Sequence, residues 1–96
     1  MNLHFNYYFG LVTREGDKWL IEFPDLPGCC TFAESYEQLL SHAAEALEGR
    51  LEVDLDYLTM EPPTEYKGTE YVKINIPEKL SKDLKFAYCL LTNISN

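Results

Sequence analysis

The stretch that decides the fold is Phe23 to Glu52, FPDLPGCCTFAESYEQLLSHAAEALEGRLE, where a strand pattern gives way to a helix pattern. Pro24 ends the preceding strand, and the residues from Pro24 to Gly28 form a turn. Ser35 suits a helix N-cap, and Gln38 three residues later completes a capping-box pattern. We therefore expect a helix after Ser35, with its apolar face across a sheet. That face comprises Tyr36, Leu40, Ala43, Leu47 and Leu51, flanked by Leu39 and Ala44.

The residues before this stretch alternate with a period of two, which is typical of strands. A first apolar row comprises Leu3, Phe5, Tyr7, Phe9 and Leu11, and a second comprises Trp19, Ile21 and Phe23. The polar segment from Thr13 to Asp17 between them contains a glycine, as a hairpin connection does. The short segment from Cys29 to Ala33 suits a third strand. Together they predict a three-stranded antiparallel meander packed by one helix, an α+β fold.

The C-terminal third predicts one more strand and one more helix. Val72, Ile74 and Ile76 alternate with polar residues, and Pro77 fits the first turn of a helix. We expect a turn at Thr92-Asn93 after that helix. A linker at Pro62-Pro63 then divides the chain into a domain of residues 1–66 and a tail of residues 67–96. The apolar face of the second helix comprises Leu80, Leu84, Ala87 and Leu91.

Length and charge limit the function classes. The chain has 96 residues, 16 acidic against 8 basic, and a formal net charge of −8. That length suits one small domain and excludes a two-domain cofactor enzyme. The acidic balance disfavours binding to nucleic acid or anionic membrane by the chain alone. We find no signal-peptide pattern and no apolar run long enough for a membrane span. The three cysteines show no spacing typical of a disulfide framework, so we expect reduced thiols and a cytoplasmic protein.

The sequence contains no recognisable catalytic, metal or cofactor motif. His4 and His42 stand in no metal-ligand spacing, and Cys29-Cys30 has no neighbouring cation that would activate a thiol. Several carboxylates have the chemistry to hold magnesium, but nothing in their spacing brings them together. We therefore expect no enzyme activity, no catalytic residue, no metal and no cofactor. The carboxylates concerned are Asp17, Glu22, Asp25, Asp54 and Asp56.

The middle of the chain concentrates the negative charge. Residues 35–66 contain eight acidic side chains and one basic side chain, whereas residues 67–96 have a small positive excess. Glu45, Glu48 and Glu52 share a helix face that differs from the apolar one. This face is either an ordinary solvated surface or a docking site for a basic partner. The candidate contact residues are Glu45, Glu48, Glu52, Asp54 and Asp56.

About two-thirds of the chain, residues 5–66, resembles the HicB-like antitoxins. The resemblance is carried by the motif Phe23, Pro24, Asp25, Leu26, Pro27, Gly28 and Cys29, then Glu34-Ser35, Glu45-Ala46-Leu47 and Pro62-Pro63. The chain departs from the family pattern at Ala33, where glycine is usual, and at Gln38-Leu39, where Glu-Ala is usual. The resemblance implies a partial RNase H-like fold in which the motif is structural and the nuclease carboxylates are missing.

The same resemblance implies a partner. HicB-like proteins typically bind small, basic, RNA-cutting HicA-like toxins and mask the toxin's active site. An acidic inhibitor suits such a partner because it presents the charge of the RNA substrate. We expect a homo-oligomer, with a dimer as the first hypothesis. The alternative is a non-catalytic RNA-binding protein on an RNase H-like sheet, which would need an exposed basic or aromatic face.

The tail resembles the strand and first helix of a ribbon-helix-helix module, which many HicB-like proteins carry at their C-terminus. In that module two strands pair across a dimer and present alternate side chains to operator DNA. Here Tyr71, Lys73 and Asn75 would face outward for DNA binding. The 96 residues do not contain the module's second helix, so we expect a truncated or degenerate tail. The other interpretation is that the strand joins the sheet or an oligomer interface.

Overall fold

A computed structural model describes residues 3–92 of the chain. It confirms an α+β fold, in which a four-stranded antiparallel sheet packs against two helices. The strands follow the order β3-β2-β1-β4 across the sheet. The elements in chain order are β1 (Tyr7–Glu15), β2 (Lys18–Glu22), β3 (Cys30–Ala33), α1 (Tyr36–Tyr57), β4 (Tyr71–Asn75) and α2 (Glu78–Thr92).

The β1–β2 hairpin is tighter than the sequence indicated. β1 continues to Glu15, which pairs with Lys18, so the connection is only Gly16 and Asp17. Gly16 has a φ of 63°, a left-handed conformation that glycine adopts without a steric penalty. The expected Thr13–Asp17 loop is therefore strand up to Glu15.

The C-terminal strand joins the same sheet as the meander. β4 pairs with β1 over its whole length, from Tyr7 opposite Asn75 to Leu11 opposite Tyr71. Ile74, Ile76 and Leu84 belong to the same buried core as the N-terminal strands. The boundary expected after residue 66 therefore does not separate two cores. The structure therefore shows β4 as part of the sheet, which was one of the two interpretations of this strand.

Helix α1 begins as expected and runs further than expected. Ser35 is its N-cap, and the Ser35 hydroxyl accepts a hydrogen bond of 3.1 Å from the backbone N–H of Gln38. The helix continues to Tyr57 and ends where Leu58 adopts the left-handed conformation, with φ at 57°. Its buried apolar side chains are Leu39, Ala43, Leu47 and Leu51.

The helices cover only one face of the sheet. Tyr8, Ile21 and Ala33 from the strands are buried together with the apolar side chains of α1 and with Leu84 of α2. Gly10 also lies on this face, because a Cβ there would come within 2.4 Å of the Ile21 Cδ1 atom. Tyr7, Phe9 and Leu11 lie on the opposite face. The apolar row expected from Leu3 to Leu11 is thus divided: Phe5, before the strand, is fully buried, and the row within β1 faces away from the helices.

Helix α2 packs beside α1 and leaves part of its surface apolar and exposed. The Ser81 hydroxyl donates a 2.9 Å hydrogen bond to the Oδ1 atom of Asn6, which fixes the start of α2 to the strand entering the sheet. Leu80 and Ala87 are half-buried as expected, but Leu91 is exposed. The expected turn at Thr92-Asn93 lies partly outside the described residues, since α2 continues to Thr92.

Candidate functional site

The motif loop between β2 and β3 is a junction of three parts of the chain. Backbone hydrogen bonds join Leu26 to Phe23, Cys29 to Leu26 and Phe23 to Cys29, each close to 3.0 Å. Gly28 has a φ of 88°, which explains a glycine at this position. The side chain of Leu26 is buried in the core. Pro24 and Pro27 are exposed, and neither is in a cis peptide bond.

Asp25 ties this loop to the segment after α1. Its Oδ2 atom accepts a 2.7 Å hydrogen bond from the backbone N–H of Thr64, and its Oδ1 atom accepts one of 2.9 Å from the Tyr66 hydroxyl. This hydrogen bond, with some burial, raises the pKa of Tyr66. Asp25 therefore connects the motif loop to the segment after α1.

Arg50 holds the other side of the loop. Its Nη1 atom donates a 2.7 Å hydrogen bond to the backbone oxygen of Pro27, and its Nε atom lies 3.2 Å from both carboxylate oxygens of Asp54. The thiol of Cys29 lies 3.7 Å from the backbone oxygen of Ala46. Burial raises the pKa of that thiol, so it is not activated as a nucleophile. The motif thus fastens the sheet to α1.

Asp54 lies inside the fold and not on the contact surface where the sequence placed it. The residue is only 5% exposed, and the Thr59 hydroxyl donates a 3.1 Å hydrogen bond to its Oδ1 atom. Its carboxylate is therefore held inside the fold by Arg50 and Thr59, near the C-terminal end of α1. A partner cannot reach a side chain buried to this extent, so Asp54 does not belong to the exposed acidic surface.

The other four acidic candidates form one row along α1, which we call the acidic face: Glu45, Glu48, Glu52 and Asp56. At 3.6 residues per turn they fall on one side of α1, opposite the buried Ala43 and Leu47, over about 16 Å of helix. Glu48 is half-buried and the other three are exposed. Within residues 3–92 none of the four forms a salt bridge. Their charge is therefore available to a partner.

The sheet face without helices carries a set of neighbouring aromatic rings. We call it the aromatic face: Tyr7, Phe9, Tyr66 and Tyr71. Tyr66 and Tyr71 stack with ring centroids 5.0 Å apart, and Phe9 lies edge-on to both Tyr7 and Tyr66. The ammonium of Lys73 lies 4.4 Å from the centroid of the Tyr7 ring, a cation–π contact. Sequence patterns did not identify this surface, because its rings come from β1, β4 and the loop between α1 and β4.

The three DNA-binding candidates lie on this same sheet face. Tyr71, Lys73 and Asn75 alternate along β4 with the buried Ile74, as expected. Tyr71 and Lys73 already contact other aromatic rings, and Asn75 is exposed. β4 is at the edge of the sheet, so within the part of the chain that the structure describes one of its edges pairs with β1 and the other is unpaired.

The structure does not gather carboxylates into a metal site. In the described part of the chain, no three side chains of histidine, cysteine, aspartate or glutamate are placed to hold an ion. Asp25 and Asp54 are both engaged in structural hydrogen bonds, and Asp17, Glu22 and Asp56 are exposed on different elements. No helix among residues 3–92 has the length and apolarity needed to cross a bilayer.

Sequence reasoning missed the residues that organise the site. Arg50, Thr64 and Tyr66 were not candidates, although Arg50 stands four residues before Asp54, the spacing of a helical ion pair. The contacts of Thr64 and Tyr66 with Asp25 span about forty residues and leave no local pattern. Comparison with family models and with characterised proteins found no match for this chain.

Proposed function

We propose that the chain is a HicB-like antitoxin, a non-enzymatic protein that binds and masks a small basic HicA-type toxin that cleaves mRNA. The acidic face carries this proposal. Four carboxylates without salt bridges among the described residues lie along one side of a helix whose opposite side is held in the core. A toxin that binds RNA needs a basic surface, and a row of carboxylates is complementary to it.

The fold and the motif loop support the same proposal. The resemblance implied an antiparallel sheet with a helix on one face, and this chain has that architecture. Asp25, within the motif, and Asp54, which is paired with Arg50, are both engaged in structural hydrogen bonds. A protein that acts by masking requires a rigid surface and no reaction chemistry. We place it in the cytoplasm, where a toxin that cleaves mRNA would act.

Self-association is part of the proposal, with a dimer as the first hypothesis. Phe86 and Leu90, one turn apart on α2, are 68% and 67% exposed. Large apolar side chains so exposed are typical of association surfaces. The unpaired edge of β4 offers a second contact, and a dimer through that edge would bring Lys73 and Asn75 of two chains together for residual operator binding.

Co-expression tests the proposed function. The small open reading frame next to the gene is expressed alone and together with this chain, and growth and affinity co-purification are measured. We expect growth arrest by the neighbouring protein alone, relief by this chain and a stable complex of the two. Growth arrest that this chain does not relieve, with no complex recovered, would contradict the antitoxin proposal.

A second candidate is RNA binding by the aromatic face. The observation that favours it is the cluster of Tyr7, Phe9, Tyr66 and Tyr71 with Lys73 beside it, since bases stack on such rings in sheet-based RNA-binding proteins. The net charge of −8 opposes it.

Fluorescence anisotropy with a labelled single-stranded RNA tests this second candidate. If the aromatic face binds RNA, Tyr71→Ala should weaken binding at least fivefold, because stacking contributes about 1–3 kcal/mol per base. Tyr57→Ala is the matched control, since Tyr57 is 75% exposed at the end of α1, away from the sheet. Equal binding by the two variants would remove the aromatic face as an RNA site.

A further inference from the structure

The outer edge of β3 has free hydrogen-bonding groups. Among the strands of residues 3–92, β3 is the last of the sheet on its side, and β2 is its one partner there. The backbone N–H of Phe23 bonds to the oxygen of Cys29, so the alternation of an antiparallel ladder turns the main chain of Thr31 and Ala33 toward β2. The main-chain groups of Cys30 and Phe32 therefore point away from the sheet. His42 confirms the direction, because its Nδ1 atom lies 3.1 Å from the backbone oxygen of Phe32.

This edge opens into a groove between β3 and the first half of α1. The groove has a volume of about 520 Å³ and is lined by Thr31, Phe32, Ala33, Glu34, Gln38 and His42. A strand on one wall and a helix on the other is the arrangement in which proteins accept an extended peptide as an added strand. His42 is the helix side chain that bonds to the strand edge across the groove.

Of the side chains that the structure describes, the charged groups near the groove are three carboxylates and one ammonium, that of Lys18, which lies 5.2 Å from the centroid of the Phe32 ring. Glu34 lines the groove, Glu22 lies opposite Cys30 in the β2–β3 ladder, and Glu45 follows His42 by three residues on α1. All three carboxylates are exposed, and none forms a salt bridge within the described ranges. Because the carboxylates outnumber the one ammonium, this region favours lysine and arginine in a segment that binds here.

We propose that an extended, basic segment of the partner protein adds to the free edge of β3 as a fifth strand, in the groove beside α1. The N–H and C=O groups of Cys30 and Phe32 bond to the main chain of that segment, and the carboxylates at the rim select its basic side chains. His42 competes for the Phe32 carbonyl in the unbound protein. The basic character of the partner rests on the proposed function, whereas the groove and its free edge do not.

Two synthetic peptides test strand addition on the unaltered protein. The first has eight residues alternating lysine and valine, and the second has the same sequence with every amide N-methylated, which removes the donors that strand pairing needs. We expect the first peptide to shift the NMR amide signals of Cys30 and Phe32 and to bind at least tenfold more tightly than the second. Equal affinities, or shifts confined to α1, would overturn the proposal.

Protein variants provide a second test with the same peptides. Phe32→Pro removes an outward N–H without removing a β2–β3 hydrogen bond, and Phe32→Ala removes the same side chain but keeps the N–H. We expect Phe32→Pro to bind the unmodified peptide at least tenfold more weakly than Phe32→Ala. His42→Ala should bind it about threefold more tightly than the unaltered protein, because the Phe32 carbonyl is released. Should Phe32→Pro fail to fold, the peptide pair still decides.

The outcomes separate this inference from the antitoxin proposal. If the peptide binds at β3 but the chain does not relieve toxin-induced growth arrest, strand addition is supported and the antitoxin function is contradicted. If Phe32→Pro and Phe32→Ala bind the toxin with the same affinity, the antitoxin function is supported and strand addition is overturned.

Discussion

The carboxylate of Asp25 accepts a 2.9 Å hydrogen bond from the hydroxyl of Tyr66, a residue 41 positions further along the chain. The same carboxylate accepts the Thr64 backbone N–H, so one side chain fixes the segment between α1 and β4 against the motif loop. Tyr66 is thereby held against Tyr71 on the sheet. Asp25 therefore connects the motif loop to the segment after α1. Its loss should lower the stability of the fold and leave the acidic face unchanged.

Replacing Asp25 tests this role. Asp25→Ala removes both hydrogen bonds, and we expect a loss of about 1–3 kcal/mol in the free energy of unfolding, measured in urea. Asp17→Ala is the matched control, because Asp17 is an exposed carboxylate in the β1–β2 turn with no hydrogen bond to its side chain among the described residues. If the two variants have equal stability, Asp25 does not fasten the segment.

The Arg50–Asp54 pair should contribute more to stability than the exposed ion pairs of α2. Arg50→Ala leaves the buried Asp54 carboxylate with the Thr59 hydroxyl alone, and we expect a loss of about 2 kcal/mol or more. Lys79→Ala, which breaks an exposed pair with Asp83 at the same helical spacing, should cost less than about 0.5 kcal/mol. Similar losses of stability in the two variants would show that the buried Arg50–Asp54 pair contributes no more than an exposed pair.

Gly10 should tolerate no side chain. Its hypothetical Cβ lies 2.4 Å from the Ile21 Cδ1 atom, so Gly10→Ala should destabilise the protein by about 1–3 kcal/mol through overpacking. Adding Ile21→Val removes that Cδ1 atom and should recover part of the loss. Gly49→Ala serves as the control: nothing lies within 4 Å of its Cβ position on α1, and alanine there should stabilise by up to about 1 kcal/mol. A neutral Gly10→Ala would refute the β1–β2 packing described above.

Three tyrosines with raised pKa values make the stability of the fold depend on pH in the alkaline range. The pKa of Tyr8 is raised by burial, and those of Tyr7 and Tyr66 are raised chiefly by hydrogen bonds to Glu65 and Asp25. Because the folded protein holds these protons more tightly than the unfolded chain, their contribution is complete below the unfolded pKa of 10.0 and is lost as the pH rises above it.

Alkaline denaturation followed by circular dichroism measures this dependence. We expect stability to fall above about pH 10, and to fall less steeply in Tyr66→Phe, which has no proton to lose at that position. An unchanged slope in Tyr66→Phe would mean that its hydrogen bond to Asp25 does not persist in solution.

The sequence contained the order and type of the elements because the relevant signals are local. Ser35 and Gln38 marked the start of α1, and the alternation around Ile21 and Ile74 marked two strands. The face of β1 could not be predicted, because apolar residues occur on both of its sides. Tyr7 and Tyr8 are adjacent, equally apolar in pattern and on opposite faces, and only the position of the helices distinguishes them.

Features that depend on distant contacts were beyond local patterns. Asp54 belonged to an acidic run, and its burial depends on Arg50 and Thr59 meeting at the end of a helix longer than expected. The pairing of β4 with β1 joins residues sixty or more positions apart. Helical periodicity alone places Glu45, Glu48 and Glu52 on one side of α1, so their proximity follows from the sequence. The role of the acidic face stays a proposal.

The most direct test of the central claim compares two triple charge reversals by their affinity for the co-expressed basic protein. Glu45→Lys/Glu52→Lys/Asp56→Lys reverses the acidic face, and Glu15→Lys/Asp17→Lys/Glu70→Lys changes the net charge equally at exposed positions elsewhere. We predict that the first variant loses at least a hundredfold in affinity and no longer relieves growth arrest, while the second loses less than fivefold. Equal losses in the two variants would contradict the claim that the acidic face is the docking surface.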